Sequence, residues 1–282
     1  MSSSFIDSVS SHPVETPVVT AGVQWPTRKR VIGVDVSDVD YDQAVDCILS
    51  AARAGQRGVV ACHAVHAIVT ASGDQELRSS VNRFEMVTPD GQPVRWAMNW
   101  LHGTRLKERV YGPELTLRVC RAAAEQQVPI YLYGGTPEIL IQLESQLQEL
   151  APGLTIAGSE SPPFRPLSEE ENQEACDRIN QSGAKILLIG LGCPKQDWFA
   201  AKNAETINAI QMCVGAAFDF HAGVKPMAPQ WMQRHGLEWL FRLLCEPRRL
   251  WKRYLVTNTV FCGKVASQLV GQLFSRRGAS PA

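Results

Sequence analysis

The sequence predicts an α/β fold in which a mostly parallel sheet is covered by helices and followed by a C-terminal helical appendage. Between about residues 31 and 228, short apolar runs alternate with amphipathic stretches, as in parallel sheets whose crossover connections are helices. After Pro229 the pattern is helical only and dense in Trp, Leu and Arg. We therefore expect an aperiodic, mobile tail at 1–30, a catalytic core at 31–228 and an appendage at 229–282.

The expected strands are bounded by Gly, Pro and polar residues. They cover 31–36, 58–62, 84–87, 130–133, 154–157, 185–189 and 212–215. The first expected helix starts near Tyr41, presents Ala44, Ile48 and Ala52 on one face, and stops at Gly55. Further helices are expected from about Val65, from Pro93, over 113–127, after Glu138, after Ser168 and through Trp198. Ser168 and Glu171 have the spacing of a capping box.

Composition limits the classes of function. The chain has 282 residues with 28 basic and 28 acidic side chains, and this neutral balance argues against a general nucleic-acid binder. Eight cysteines without a C-x-x-C pair favour buried, reduced thiols in a cytoplasmic protein over a disulfide or metal framework. No signal peptide and no apolar run long enough to span a bilayer is visible.

Asp90 lies in the turn Thr88-Pro89-Asp90-Gly91-Gln92-Pro93-Val94, between an expected strand and an expected helix. A carboxylate there can be a general base or a helix cap, and the local chemistry favours the cap. The carboxyl ends of parallel strands, however, meet where such sheets bind ligands. Polar residues or glycines follow the expected strand ends repeatedly, and this convergence favours Asp90 as a general base over Asp90 as a helix cap. The residues at these strand ends are His63, Asp90, Gly134, Gly135, Gln196 and Asp219.

Two glycine-containing turns follow strands and precede helices, so their amides can approach phosphate oxygens. They are Gly134-Gly135 and Gly190-Leu191-Gly192, and Lys195 with Gln196 adds a cation and an amide to the second. Neither turn matches the dinucleotide fingerprint or a P-loop. Asp219 can cap, bind a hydroxyl or bind a metal; without a second carboxylate at ligand spacing, we infer no metal.

Two histidines, His63 and His66, are three residues apart and share a face of a short expected helix. No third ligand accompanies them. We expect His63 to contact substrate and His66 to be structural.

The appendage contains an amphipathic pattern. If residues from Arg248 onward form one helix, Arg249, Arg253 and Lys264 fall within roughly 60° of one another. The opposite side then carries Trp251, Leu255, Val265 and Leu269. This pattern suits an anionic membrane surface or a partner groove, and it equally fits an ordinary surface helix packed on the sheet.

Several segments together resemble the WecG/TagA/CpsF family of bacterial glycosyltransferases, over about residues 31–255. They are Thr88-Pro89-Asp90-Gly91, Glu108-Arg109-Val110-Tyr111-Gly112-Pro113-Glu114-Leu115, Tyr133-Gly134-Gly135, Gly190-Leu191-Gly192-Cys193-Pro194-Lys195-Gln196-Asp197, Val214-Gly215-Ala216-Ala217-Phe218-Asp219, and Gly236-Leu237-Glu238-Trp239-Leu240-Phe241-Arg242-Leu243 with Glu246-Pro247-Arg248-Arg249 and Arg253-Tyr254.

The resemblance implies a Rossmann-like fold and inverting transfer of a sugar, most often N-acetylmannosamine, from a UDP-sugar. The implied acceptor is a polyprenyl-diphosphate-linked sugar at the cytoplasmic face of the cell membrane, and no cofactor is implied. By resemblance, Asp90 is the base and Arg109 and Gln196 contact the reacting groups. The appendage arginines Arg242, Arg249 and Arg253 would then close over the site.

The sequence departs from the family pattern in two places. Ala61-Cys62-His63 stands where the family often has Thr-x-Asn, and Met227 stands where it tends to have arginine. Glucose or another hexose therefore stays open as the donor sugar. A nucleotide-binding oxidoreductase and a non-enzymatic membrane-surface adaptor are the competing classes. A second copy of the chain is a further candidate partner.

Overall fold

The computed structural model describes residues 23–234 and 236–278, without the side chains of residues 230, 234, 249 and 276–278. Most of the expected 1–30 tail lies outside this range, but its last residues belong to the fold. Strand β1 (Arg28–Val31) pairs antiparallel with β2 (Val34–Ser37). The single strand expected over 31–36 was therefore wrong: Ile32 and Gly33 both have positive φ and turn the chain into a hairpin.

Six parallel strands form the central sheet in the order β4-β3-β8-β7-β5-β6, which confirms the predicted α/β class. They are β3 (Gly58–His63), β4 (Met86–Pro89), β5 (Ile130–Gly134), β6 (Ile156–Glu160), β7 (Ile186–Gly190) and β8 (Ile210–Cys213). On β3, next to the edge strand β4, Val60 is paired with Met86 on one side and Met212 on the other. The apolar side chains of β7 are fully buried because helices cover both faces.

Twelve helices are present in the described part of the chain. They are α1 (Tyr41–Arg53), α2 (Val65–Gly73), α3 (Gln75–Val81), α4 (Gln92–His102), α5 (Gly112–Glu125), α6 (Pro137–Leu150), α7 (Glu169–Gln181), α8 (Lys195–Lys202), α9 (Ala217–His221), α10 (Gln230–Arg234), α11 (Glu238–Cys245) and α12 (Pro247–Gly278). The capping box of Ser168 and Glu171 is present at the start of α7. Two apolar cores, one on each face of the sheet, complete the layered fold.

Helix α12 packs along the body of the protein. Its side chains Leu250, Phe261 and Val265 are buried against the core. The Lys264 ammonium donates to Ser72 Oγ at 2.8 Å, and Gln268 hydrogen-bonds to the β1–β2 hairpin. Lys264 and Gln268 of this helix therefore contact the body of the protein.

This orientation corrects the expected amphipathic pattern of α12. Val265 is buried in the core, and the exposed Lys264 hydrogen-bonds to Ser72 of the neighbouring helix α2, although the pattern placed the two residues on opposite sides. Trp251 and Leu255 point outward, with 56% and 62% of their surface exposed. The solvent-facing side of this part of α12 thus carries large apolar side chains.

Candidate active site

A cavity of about 470 Å³ lies beyond the carboxyl ends of β3, β4, β7 and β8, with α11 and α12 contributing to its walls. Residues directly after the strands line it: Ala64, Asp90, Gly192 and Val214. Arg242 and Trp239 come from α11, and Arg253 and Tyr254 from α12. This is where a parallel sheet is expected to bind its ligand.

Asp90 is positioned by the end of β4 and the start of α5. The Gly112 N–H donates to Asp90 Oδ2 at 3.1 Å, and the Asp90 N–H donates to the Thr88 carbonyl at 2.8 Å. The N-cap of α4 is Gly91, which has φ 111° and makes no side-chain cap bond. The carboxylate therefore does not cap the helix that follows it, as the local chemistry had favoured, and instead faces the cavity.

Burial raises the pKa of Asp90 to about 6 because a charged carboxylate is disfavoured away from water. Arg109, the Gly112 N–H and Arg242 pull this pKa down, whereas the negative charge of Glu238 pushes it up. A carboxyl group of this kind is mostly ionised at pH 7 and still accepts a proton readily. These are the properties of a general base working near neutral pH.

Arg109 lines the cavity and forms an ion pair with Glu238, the first residue of α11. Its guanidinium also lies 4.2 Å from the centre of the Tyr111 ring, an attractive cation–π arrangement. Sequence reasoning had picked out Arg109 but not Glu238. The only available signal for Glu238 was its place within the segment 236–243 that carried the family resemblance.

Gln196 supports the turn after β7. Its Oε1 accepts the Gly192 N–H at 3.2 Å, and its backbone N–H donates to the Gly192 carbonyl at 3.0 Å. A Cβ at Gly215 would lie 3.2 Å from the same Oε1, so glycine there gives the amide its space. Gly192, Gln196 and Gly215 together form one wall of the cavity.

In the part of the chain that the structure describes, three cationic side chains border the cavity besides Arg109. Arg242 lies 5.3 Å from the Phe220 ring centre, and Lys225 pairs with Asp219 at 2.5 Å. Arg253 reaches the cavity from α12. The side chain of Arg249 is outside the described part. Among the described residues, no three His, Cys, Asp or Glu side chains are grouped so that they could hold a metal ion.

His63 does not line the cavity, which corrects its expected contact with substrate. It is 1% exposed, and its Nε2 lies 3.0 Å from Oδ1 of Asp197, which is equally buried. His66, expected to be structural, lines the cavity instead, from the first turn of α2. Burial and the nearby Arg253 lower the pKa of His66, which favours its neutral form.

Three other expected site residues also lie outside the cavity wall. A Cβ at Gly134 would come within 2.7 Å of the Gly190 backbone, so this glycine allows β5 and β7 to approach closely. Gly135 has φ 72° and neighbours Ile139 and Phe218. Lys195 is exposed, with its ammonium 5.5 Å from the Phe164 ring centre.

The sequence model of the glycosyl transferase WecG/TagA/CpsF family matches residues 29–274. The chain belongs to this family. The resemblance read from the separate motifs is thereby confirmed over most of the chain. Within the family match lie Asp90, Arg109, Gln196, Arg242 and Arg253, all at one cavity.

As a WecG/TagA/CpsF family member, the protein is a glycosyltransferase of cell-surface polysaccharide synthesis, a class that joins a sugar donor to a lipid-linked acceptor. Membership disfavours both the oxidoreductase and the non-enzymatic adaptor. None of the helices in the described part of the chain combines the length and the apolar character that a membrane-spanning segment needs.

Proposed function

We propose that this family member is an inverting glycosyltransferase that moves a sugar from a UDP-sugar to a polyprenyl-diphosphate-linked sugar. The observation that carries the proposal is the placement of Asp90 in one cavity with Arg109, Arg242 and Arg253. A carboxylate near neutral pKa can take a proton from a hydroxyl. The cationic side chains can receive a diphosphate.

In the proposed reaction, Asp90 removes the proton of the acceptor hydroxyl as that oxygen attacks the anomeric carbon. The new carbon–oxygen bond forms on the face opposite the departing UDP, so the anomeric configuration inverts. The bond from the anomeric carbon to the diphosphate oxygen breaks, and its electron pair leaves with UDP. Asp90 ends the step protonated and returns its proton to solvent.

The leaving diphosphate gains negative charge, which cations and N–H groups stabilise. Arg242 and Arg253 stand at the cavity, and arginine offers paired donors to phosphate oxygens. The first turn of α2, at Ala64 to Ala67, also lines the cavity and has no side-chain cap. Its N–H groups and helix dipole add to the same attraction. The proposal assigns charge stabilisation to these groups and includes no resident metal or cofactor.

We propose N-acetylmannosamine as the donor sugar because it is the commonest in the family. Glucose or another hexose is the second candidate, since Ala61 and His63 stand where the family often has threonine and asparagine. Neither side chain reproduces the hydroxyl and amide usual in the family at the end of strand β3. The donor preference therefore needs direct measurement.

The acceptor lipid places the reaction at the inner face of the cell membrane, where we propose that the protein binds peripherally. Trp239 lines the cavity, packs edge-on against Tyr254 at 6.5 Å, and is itself half exposed. Trp251 and Leu255 continue this apolar surface outward along α12. Such side chains can enter the headgroup region without spanning the bilayer.

The test is a donor screen with a short-chain lipid-diphosphate sugar as acceptor. Purified protein is incubated with UDP-N-acetylmannosamine, UDP-N-acetylglucosamine or UDP-glucose, with and without EDTA. We expect transfer from one donor, persistence in EDTA, and inverted anomeric configuration by NMR. Retained configuration would contradict the assigned mechanism, and absence of transfer from any UDP-sugar would contradict the assigned donor class.

A further inference from the structure

The Arg109–Glu238 ion pair joins two distant parts of the chain inside the cavity. Arg109 belongs to the segment between α4 and α5, and Glu238 begins α11 in the appendage. Their side chains are only 12% and 7% exposed. Water cannot readily replace either partner at that burial, so each charge depends on the other for compensation.

The same segment controls the orientation of Asp90. Three residues after Arg109, the Gly112 N–H donates to Asp90 Oδ2. Between them, the Tyr111 N–H donates to Tyr41 Oη at 2.9 Å, and the Arg109 guanidinium lies over the Tyr111 ring. A shift of Arg109 would therefore displace the segment that carries the hydrogen bond to the carboxylate.

We propose that Glu238 is a positioning residue for the transfer, which clamps the Arg109 guanidinium and thereby couples α11 to the segment that orients Asp90. The inference rests on the proposed function, in which Asp90 is the base. Glu238 itself removes no proton and receives no sugar. Its contribution is to keep Arg109 and the start of α5 in place.

The negative charge of Glu238 also raises the pKa of Asp90. Of the described charged groups that act most strongly on Asp90, Arg109 and Arg242 are positive and Glu238 is negative. Tyr41, Tyr111 and Cys62 also lie close to Asp90, and burial raises the pKa of all three, so they stay neutral. His66 shares the cavity, and burial lowers its pKa, which favours its neutral form. Removing the Glu238 charge also takes away the ion-pair partner of Arg109, so the positive charge of Arg109 acts more strongly on Asp90. Both changes lower the pKa of Asp90.

The experiment compares Glu238→Gln with Glu238→Asp, Arg109→Gln and the Glu238→Gln/Arg109→Gln double variant. Glu174→Gln, which removes an exposed carboxylate on α7, is the matched control. In Glu238→Gln we expect kcat/KM to fall about 10- to 100-fold at its plateau. The acidic limb of its pH profile should move down by about half a unit or more. Glu238→Asp should return the acidic limb to its wild-type position, because aspartate keeps the negative charge.

The double variant tests whether Glu238 acts through Arg109. If it does, the loss at the pH plateau in the double variant should equal that of Arg109→Gln alone, because the second substitution has nothing left to disturb. Multiplicative losses would overturn the proposal. The proposal would also be overturned if the acidic limb of the Glu238→Gln pH profile coincided with that of Glu174→Gln.

Hydrogen exchange provides a readout that does not require sugar transfer. Glu238→Gln should speed amide exchange in α11 and in the segment 103–111, whereas Glu174→Gln should leave both unchanged. Unchanged exchange in an active Glu238→Gln variant would overturn the clamp. An inactive wild-type chain that shows the expected exchange difference would instead contradict the proposed function, so the two failures are distinguishable.

Discussion

The Gly112 N–H lies 3.1 Å from Asp90 Oδ2, so the first amide of α5 holds a carboxylate that the end of β4 delivers to the cavity. The Gly112 N–H carries no net charge, so it orients the Asp90 carboxylate without compensating its negative charge. Arg109 is close enough to lower the pKa of Asp90, but it is paired with Glu238. The carboxylate is therefore left basic enough to accept a proton.

Replacing the base should remove the chemistry and leave binding intact. Asp90→Asn keeps the size of the side chain and cannot accept the proton, so kcat should fall by roughly two to four orders of magnitude. Calorimetry should show UDP affinity close to that of wild type. Asp177→Asn, at an exposed position on α7, is the control and should keep full activity. Turnover of Asp90→Asn within a few-fold of wild type would contradict the assignment.

The pH dependence of kcat/KM should report the same carboxyl group. The base must be ionised, so activity should rise with pH and level off above about 6, the raised pKa of Asp90. An unperturbed aspartate, with its pKa of 3.8, would place this limb about two units lower. A profile that stays flat from pH 5 to 8 would exclude Asp90 as the group that limits the acidic side.

The stability of the folded protein should depend on pH in the opposite direction to its activity. Because the folded-state pKa of Asp90 is raised, its contribution is fully present below pH 3.8 and is lost as the pH rises through about 6. The difference in Tm between wild type and Asp90→Asn should therefore change in favour of the Asn variant across this window. Parallel Tm curves would show that the carboxyl group is not perturbed.

Gln196→Ala should affect catalysis more than stability. The substitution removes the acceptor of the Gly192 N–H and one wall of the cavity. A neutral hydrogen bond contributes about 1 kcal/mol, so Tm should fall by only about 2–4 °C. We expect kcat/KM to fall about 100-fold. Gln173→Ala, which removes an exposed amide on α7, is the control. If the fall in Tm of Gln196→Ala accounts for its loss of activity, the role of Gln196 is purely structural.

The sequence predicted the location of the site better than its contacts. Apolar strands alternating with helices define a parallel sheet, and strand ends then place Asp90 and Gln196 at one edge. The hairpin was missed because Ile32, a β-branched residue, adopts positive φ. The burial of His63 was missed because β3 continues through this residue, which turns its side chain toward Asp197. Glu238 was missed because its partner lies 129 residues away in the chain.

His63→Ala should reduce stability and spare donor binding. His63 and Asp197 are both 1% exposed, so removing the imidazole leaves a buried carboxylate without its partner. Leaving a buried polar group without its hydrogen-bond partner costs about 1–3 kcal/mol. Urea unfolding should show a loss of this order, while the KM for the donor stays within a few-fold of wild type. A raised KM for the donor with an unchanged free energy of unfolding would show instead that His63 contacts the substrate.

Membrane binding should depend on the outward side of α12. Arg248, Trp251, Lys252 and Leu255 are all exposed and fall within roughly 100° of one another around the helix. Removing the whole helix would not be a clean test, because Phe261 and Val265 fill the core beneath it. Substitution of exposed side chains avoids this damage.

Trp251→Ser/Leu255→Ser should release the protein from anionic vesicles and abolish transfer to a lipid acceptor, while the fold stays intact. A fully buried Trp or Leu side chain contributes about 1.5–3 kcal/mol, so losing both should weaken partitioning at least about 100-fold. Each cation near an anionic leaflet adds about 1 kcal/mol, and salt screens it. Arg248→Gln/Lys252→Gln should therefore weaken binding less, and only at low salt. Phe164→Ser, at a 90% exposed position between β6 and α7, is the matched control. If the Trp251→Ser/Leu255→Ser protein sediments with anionic vesicles as fully as wild type, this surface is not the membrane contact.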